Sequence, residues 1–193
     1  MDLGIRGRKA IVCASSQGLG KGCALALAEA GVSVVINGRD RPALESAAQE
    51  LRATTGADVT TVAADVSTRE GQQALLSACP APDILINNNG GPPFRDFREL
   101  DREALIKGVA KEEGVNEIRA NSILVGVIDA GQFKVGQEAG TFTPEWEAAV
   151  KAMLPLKRWG TPEDIGQAAV FFAGRRGNYV TGQTIAVAGG FGV

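Results

Sequence analysis

Short apolar runs alternate with longer stretches of helical spacing along the chain. The runs at 9–13, 32–37, 58–63 and 83–87 are rich in Val, Ile and Ala, which predicts buried strands. Residues 41–55 between them place apolar side chains on one face, which predicts an amphipathic helix. This alternation predicts an α/β fold, a single Rossmann-type doubly wound parallel sheet with helices on both faces, in one domain over 1–193.

The second half continues the alternation around a glycine-rich stretch. Residues 118–125 and 183–187 have strand patterns, and Thr143 and Thr161 each precede a Pro at a predicted helix start. In the first half, Ser67 is predicted to begin a helix with Glu70 as its capping-box partner. Residues 126–143 lack periodicity and predict an irregular loop. We expect a substrate lid near 126–150, carrying the aromatic residues Phe133, Phe142 and Trp146.

Composition narrows the classes of function. The net charge is −2 without a run of like charges, so neither nucleic acid nor membrane is expected as a partner. The N-terminus has no signal-peptide pattern and the three cysteines form no CxxC pair, which predicts a cytoplasmic protein with reduced thiols. Histidine is absent, which removes the Ser–His nucleophile pair and most catalytic metal sites, so no metal is expected.

A glycine-containing loop follows the first predicted strand and opens the first helix. Such a loop presents backbone N–H groups and a helix N-terminus to a pyrophosphate, and its glycines let the phosphate approach. The strand before it and the helix after it support a dinucleotide site. The candidate contacts in this loop are Ser15, Ser16, Gly18, Leu19 and Gly20.

The tip of the second strand indicates which dinucleotide is bound. An acidic residue here would bond the ribose 2′-OH, but the chain has Asn37, Gly38 and Arg39 instead. Because Arg39 can pair with a phosphate, NADP(H) is favoured over NAD(H), although Asp40 could neutralise Arg39. A methyltransferase using S-adenosylmethionine also has such a loop, but it usually needs an acidic residue at this tip.

Several motifs together resemble the short-chain dehydrogenase/reductase family, in particular its 3-oxoacyl-carrier-protein reductases. They are the loop 14–20, the pair Asp65-Val66, the sequence 87–90, the sequence 155–165 and the sequences 179–183 and 187–190. The resemblance implies that Asp65 and Val66 hold the adenine ring, that Asn88 and Gly90 pack beside the adenine ribose, and that Ile128 completes the cofactor contacts. It also implies a homodimer or homotetramer.

The resemblance also exposes departures from the family pattern. Ala14 stands where the family has Gly, which is tolerable if its φ angle is negative. The family reduces a carbonyl with a Tyr as proton donor, a Lys four residues later, a Ser and an Asn. Here the sole tyrosine is Tyr179, in the C-terminal motif, and Gln183 lies four residues on. We reject Tyr179 as catalytic and expect a packed aromatic, so no catalytic residue is assigned.

The family's catalytic segment would fall between Val109 and Ala110. About 60 residues are absent there, at roughly 30 residues for each βα repeat. Either the sequence is a shortened form of a longer protein, or the gene product lacks the segment. The first is favoured because losing a central strand would leave two unpaired inner edges and a large apolar surface.

Two functions follow from these alternatives. The favoured one is an NADPH-dependent oxidoreductase acting on a ketone or secondary alcohol, with a 3-oxoacyl thioester as one candidate. The alternative is a non-catalytic NADP-binding remnant or regulatory protein.

Overall fold

The computed structural model describes residues 2–88 and 102–191, without the side chains of 102–105 and 131–134. The strands are β1 Lys9–Val12, β2 Ser33–Gly38, β3 Val59–Ala63, β4 Ile84–Ile86, β5 Ser122–Val125 and β6 Thr184–Val187. The helices are α1 Gly18–Glu29, α2 Arg41–Thr55, α3 Arg69–Ala78, α4 Arg102–Glu113, α5 Gly131–Glu138, α6 Pro144–Met153 and α7 Pro162–Ala173.

The first four strands form a parallel sheet in the order β3-β2-β1-β4. One of its faces packs against apolar residues of α1, α2 and α7 around the buried Leu27, Ile36 and Leu51. The other face packs against α3, where Leu75 lies with Ile11. Helices therefore cover both faces of this parallel sheet, and the predicted α/β class with a doubly wound sheet is confirmed.

The last two strands form a separate parallel sheet, β5-β6, so the single continuous sheet of the prediction is instead two sheets. No described strand lies between β4 and β5, so no hydrogen-bond ladder connects them. Packing connects the two sheets instead, because Ile123 and Val125 of β5 contact the apolar cluster that α1 and α7 share with the first sheet.

Small residues allow α1 and α7 to cross closely. A Cβ atom placed on Gly166 would lie 2.6 Å from the carbonyl oxygen of Gly22. A Cβ on Gly22 would meet the carbonyl group of Pro162. Because real Cβ atoms do not approach so closely, this contact between the two helices depends on glycine at both positions.

Two local expectations differ from the structure. The stretch predicted as irregular contains α5, and α3 begins after Thr68, whose hydroxyl accepts a hydrogen bond from Gly71 N, rather than at Ser67. Ser67 instead donates from its backbone and its hydroxyl to the Asp65 carboxylate. The helices capped by Thr143 and Thr161 begin where predicted. Among the described residues, no helix is long and apolar enough to cross a membrane.

Candidate functional site

The N-terminus of α1 is open to an anion. Its N-cap, Gln17, makes no side-chain capping bond, and the first turn holds no acidic residue. Among the residues that the structure describes, no oxygen accepts a hydrogen bond from the amides of residues 16–20. These N–H groups and the helix dipole together suit a negatively charged group such as a pyrophosphate.

The loop before α1 folds tightly back on itself. A Cβ on Gly20 would collide with the carbonyl group of Ala14, so only glycine fits at this position. Ala14 itself has a φ of 47°, which is the left-handed region. The expectation of a negative φ at Ala14 is therefore wrong, and the residue adopts the conformation for which glycine is favoured.

Buried hydrogen bonds hold this loop in place. Ser15 is fully buried, and its hydroxyl donates to the carbonyl oxygen of Val12 and accepts from the amide of Asn37. The Asn37 side chain accepts from the amide of Ala14 and donates to the carbonyl oxygens of Val62 and Ala64. Ser15 was predicted as a cofactor contact. In the structure, its hydroxyl forms hydrogen bonds within the protein, to Val12 and Asn37.

Asn37 is the residue that the sequence pattern missed. It was noted only because it is not acidic, yet it is 1% exposed and ties β2 to both β3 and the loop. A buried side chain with its polar atoms satisfied in this way rigidifies its neighbours. The signal available in the sequence was a polar residue at the end of an otherwise apolar strand.

Asn88 fastens the same loop from β4. Its side-chain amide donates to the carbonyl oxygens of Cys13 and Ala14 at 3.4 and 3.2 Å. The predicted cofactor residue Asn88 therefore lies directly beside the loop. Its predicted neighbour Gly90 lies outside the described residues.

Arg39 directly follows Gly38, the last residue of β2. A Cβ on Gly38 would lie 3.0 Å from the Ser16 hydroxyl, so the serine side chain and the start of Arg39 share one corner. The Asp40 carboxylate caps α2 by accepting a hydrogen bond from Ala43 N at 3.1 Å. That Asp40 could neutralise Arg39 stays a prediction.

Asp65 and Val66 follow β3 at the same edge of the sheet. The bonds that Ser67 donates lower the pKa of the Asp65 carboxyl, and the charge of Arg39 lowers it further. The Val66 side chain is half-buried against the apolar cluster that includes Ile11. The structure thus brings the loop, Arg39, Asp65 and Asn88 to the carboxyl ends of β1 to β4.

An open groove of about 580 Å³ extends from the loop along α1. Gln17 and Gly18 line its beginning, and Asp129 and Ala130, which follow β5, line its side. The predicted contact Ile128 instead lies beside a smaller cavity of about 90 Å³ and pairs with Gly160 in a β-bridge. The groove therefore joins the carboxyl ends of β1 and β5.

The predicted lid region packs through its aromatic residues. The rings of Phe142 and Trp146 stack with centroids 4.4 Å apart, and Trp146 lies 6.3 Å from the ring of Trp159. Trp159 is 8% exposed beside the buried Leu154. The side chain of Phe133 lies outside the described part of the chain.

The described residues contain no proton-donating pair at this groove. Val109 and Ala110 are consecutive residues of α4. Tyr179 is fully exposed and precedes β6, at the amino ends of the strands rather than the carboxyl ends. The expectation of a packed Tyr179 is wrong.

Burial raises the pKa of Cys13, and that of Cys23 to about 11, so neither thiol is a ready nucleophile.

Comparisons with known families match both halves of the chain. The model described as short chain dehydrogenase matches residues 8–111, and the model described as Enoyl-(Acyl carrier protein) reductase matches residues 101–192. The chain is 28% identical to the 3-oxoacyl-(acyl-carrier-protein) reductase of Chlamydia muridarum over 245 positions, covering 95% of this chain and 96% of that protein. It is 25% identical to the 7alpha-hydroxysteroid dehydrogenase of Escherichia coli over 250 positions, covering 98% and 96%.

Solved structures show the same fold. The L-sorbose reductase of Gluconobacter frateurii, complexed with NADPH and L-sorbose, has a TM-score of 0.86 at 24% identity, covering 98% of each chain. The Pseudomonas aeruginosa RhlG/NADP active-site complex has a TM-score of 0.82 at 25% identity, also covering 98% of each chain. With the first family model matching more than half of its residues, the chain belongs to the short-chain dehydrogenase family of oxidoreductases.

Proposed function

We propose that this protein is an NADP(H)-dependent oxidoreductase that interconverts a ketone and a secondary alcohol. When bound, the nicotinamide supplies or accepts the hydride at the carbonyl carbon. The observation that carries the proposal is the open N-terminus of α1, where the amides of residues 16–20 donate to no described oxygen and where Gln17 and Gly18 line a groove. A pyrophosphate there would accept these hydrogen bonds and interact favourably with the helix dipole.

The corner beside this helix supports NADP(H) over NAD(H). The Ser16 hydroxyl, which lies beside Gly38, can donate a hydrogen bond, and Arg39, the next residue along the chain, carries a fixed positive charge. A 2′-phosphate would accept hydrogen bonds from both, whereas the bare 2′-OH of NAD offers the guanidinium no phosphate to bind. We assign the neighbouring Asp65, Val66 and Asn88 to the adenosine half of the cofactor.

A fluorescence titration tests the cofactor assignment. Arg39→Ala should weaken NADPH binding by about tenfold or more, because a charge-assisted bond to phosphate is lost. NADH binding should change less than about twofold, because NADH has no 2′-phosphate for Arg39 to bind. Arg41→Ala, which removes an exposed arginine two residues away, is the matched control and should leave both affinities unchanged.

Equal losses for NADPH and NADH in Arg39→Ala would contradict the assignment of a 2′-phosphate site. S-adenosylmethionine serves as a second ligand in the same titration. If it bound while NADPH did not, the methyltransferase alternative would replace the oxidoreductase.

We propose that the proton donor belongs to a segment that a longer form of this protein carries between Val109 and Ala110. The alignment with the Chlamydia reductase has 245 positions, which exceeds the 193 residues of this chain by 52. At least that many aligned positions have no residue of this chain opposite them. The two family models also meet at residues 101–111, which contain this junction.

The intact mass of the protein from its natural source tests this segment. A mass above 20.0 kDa by ~6–7 kDa is expected if about two βα repeats are present. NADPH oxidation should then be screened with ketones and 3-oxoacyl thioesters. A mass of 20.0 kDa without NADPH oxidation would overturn the oxidoreductase proposal and leave the non-catalytic NADP-binding protein.

The lid and the assembly complete the proposal. We assign residues 126–150, which include α5 and most of α6, to the substrate side of a single domain, because they contain the groove residues Asp129 and Ala130. A cytoplasmic homodimer or homotetramer is proposed as well. Light scattering of the purified protein would measure the assembly directly.

A further inference from the structure

Ala14 is held in a conformation that alanine disfavours. Its φ of 47° lies in the left-handed region, where the Cβ atom of an L-residue crowds the following carbonyl oxygen. Among the described residues other than glycine, Glu117 and Lys157 also have a positive φ, but both are exposed and neither lines the groove along α1. A residue in such a conformation at a binding site persists where the surrounding structure fixes it.

Two amide side chains hold Ala14 from its two sides. Asn37 Oδ1 accepts a hydrogen bond from Ala14 N at 3.3 Å, and Asn88 Nδ2 donates to the Ala14 carbonyl oxygen at 3.2 Å. The same carbonyl group packs onto the start of α1, because a Cβ atom on Gly20 would collide with it. With its N–H and its C=O both held, neither backbone dihedral of Ala14 rotates freely.

The hydrogen-bond partners of the Asn37 amide allow it one orientation. Its Nδ2 donates to the carbonyl oxygens of Val62 and Ala64 at 3.0 and 2.9 Å, and its Oδ1 faces the N–H of Ala14. Exchanging the two atoms would turn Oδ1 toward two carbonyl oxygens and Nδ2 toward an N–H group. Because the end of β3 fixes the amide in this way, the acceptor for Ala14 N cannot turn away.

The turn at Ala14 sets the direction of the peptide groups that follow it. Ser15 N donates to the Asn37 carbonyl oxygen at 2.7 Å, whereas the amides of residues 16–20 donate to no described oxygen. Successive N–H groups in a turn that includes a left-handed residue form a concave site for an anion. If Ala14 relaxed to a negative φ, these peptide groups would reorient relative to α1.

We propose that Asn37 is a positioning residue for the dinucleotide. By accepting from Ala14 N, it holds the left-handed turn and keeps the free amides after the turn arranged for the phosphates. Asn37 is 1% exposed, so it acts through Ala14 and does not touch the cofactor. Its bond matters because glycine, the family's residue here, adopts a positive φ readily and alanine does not. The inference rests on the proposed function, which assigns the pyrophosphate to these amides.

A double-mutant cycle between Asn37 and Ala14 tests this role. Asn37→Ala should weaken NADPH and NADH binding by the same factor, about tenfold, because the left-handed alanine must then be formed on binding. The double variant Asn37→Ala/Ala14→Gly should bind both dinucleotides within about twofold of Ala14→Gly alone, since glycine keeps the turn without the bond. Fluorescence titration measures the affinities, and circular dichroism confirms that each variant is folded.

Asn121→Ala is the matched control. The Asn121 side chain also accepts from a backbone amide, Gln183 N at 3.1 Å, and donates to a carbonyl oxygen, Val180 O at 2.8 Å, but at the amino end of the second sheet. Its loss should lower the thermal midpoint and leave both affinities unchanged. Asn37→Ser, whose hydroxyl is one bond shorter than the amide, serves if Asn37→Ala does not fold, and Ala14→Gly should rescue it in the same way.

Inorganic pyrophosphate separates this inference from the proposed function. It should bind the unmodified chain and follow the same cycle, because it needs the amides and no nucleoside contact. If pyrophosphate bound and neither dinucleotide did, the proposed function would be wrong, and the cycle with pyrophosphate would still decide the role of Asn37. Full affinity in Asn37→Ala, or a loss that Ala14→Gly does not rescue, would overturn that role. Binding of none of the three ligands would overturn both.

Discussion

The two sheets are made of similar residues and differ in their burial. In β1, Ala10, Ile11 and Val12 are at most 2% exposed. In the second sheet, Leu124 is 60% and Ile185 is 37% exposed, and no strand residue is fully buried. The first sheet has helices on both faces. In the second sheet, Ile123 and Val125 of β5 pack against the apolar cluster that also contains residues of α7 and of the first sheet.

This comparison teaches that an apolar strand sequence does not guarantee a buried strand. Burial comes from neighbours on both edges and both faces, and the hydrophobic contribution scales with the area that they remove from water. The strands β1 and β5 have equal lengths and comparable side chains. The second sheet therefore depends on its contacts with the first through α1 and α7.

The largest expected effect contrasts one leucine in each region. Leu27→Ala removes a side chain that is 0% exposed in α1 and should cost about 2–5 kcal/mol of unfolding free energy. Leu124→Ala should cost about 0.5 kcal/mol or less, because its side chain is mostly in water already. Urea unfolding followed by circular dichroism measures both. Equal losses would show that the Leu124 side chain is covered in solution.

An intermediate effect is expected where the two regions are joined. Gly22→Ala should cost about 1–3 kcal/mol of unfolding free energy, because its methyl group would collide with Pro162 and separate α1 from α7. Gly108→Ala in α4, where an added Cβ meets nothing within 4 Å, is the control and should stabilise the protein by about 0.5–1 kcal/mol. A neutral Gly22→Ala would mean that the helices adjust and that the junction is loose.

The smallest effect concerns the cap of α7 and depends on pH. Asp164 accepts hydrogen bonds from Arg158 Nη1 and from Thr161 N, both at 2.8 Å, and these bonds hold the pKa of its carboxyl well below the usual range. Asp164→Asn should cost about 1 kcal/mol at pH 7, since the pair with Arg158 is partly exposed to solvent.

The sign of the pH dependence follows from the lowered pKa. The ionised Asp164 contributes its full stability above the unfolded pKa of about 3.9, and this contribution is lost as pH falls through the folded pKa. The difference between the Asp164→Asn variant and the unmodified chain should therefore narrow below pH 4. Glu163→Gln, at the adjacent exposed position, is the control. A difference that stays constant down to pH 2 would contradict the role of the ionised carboxylate.

Local signals were sufficient for most elements. Apolar runs located the strands, and Thr143 and Thr161 before prolines marked two helix starts, because capping is a property of adjacent residues. The cap of α3 was misplaced by one residue, since Ser67 and Thr68 are equivalent as sequence signals. The helix α5 was missed because its glycines weaken a helical pattern.

In the candidate site, too, some features could be predicted from local sequence and others could not. The loop at 14–20 and Arg39 could be identified from their spacing after β1 and β2, because parallel strands bring their carboxyl ends to one edge. The buried bonds of Asn37 and the positive φ of Ala14 could not, since both arise from contacts between residues distant in the sequence. Whether Ile128 contacts a cofactor stays a prediction, and the structure places it beside Gly160.

The sequence by itself determined the α/β class, the glycine-containing loop before α1, the charge at the tip of β2 and the family resemblance, because each follows from periodicity or short motifs. Only the tertiary structure decided that the strands form two sheets, that Leu85 and Leu124 are exposed, and that α1 and α7 hold the halves together. Strand pairing and burial are set by which neighbours are present, and a strand's own residues do not specify them.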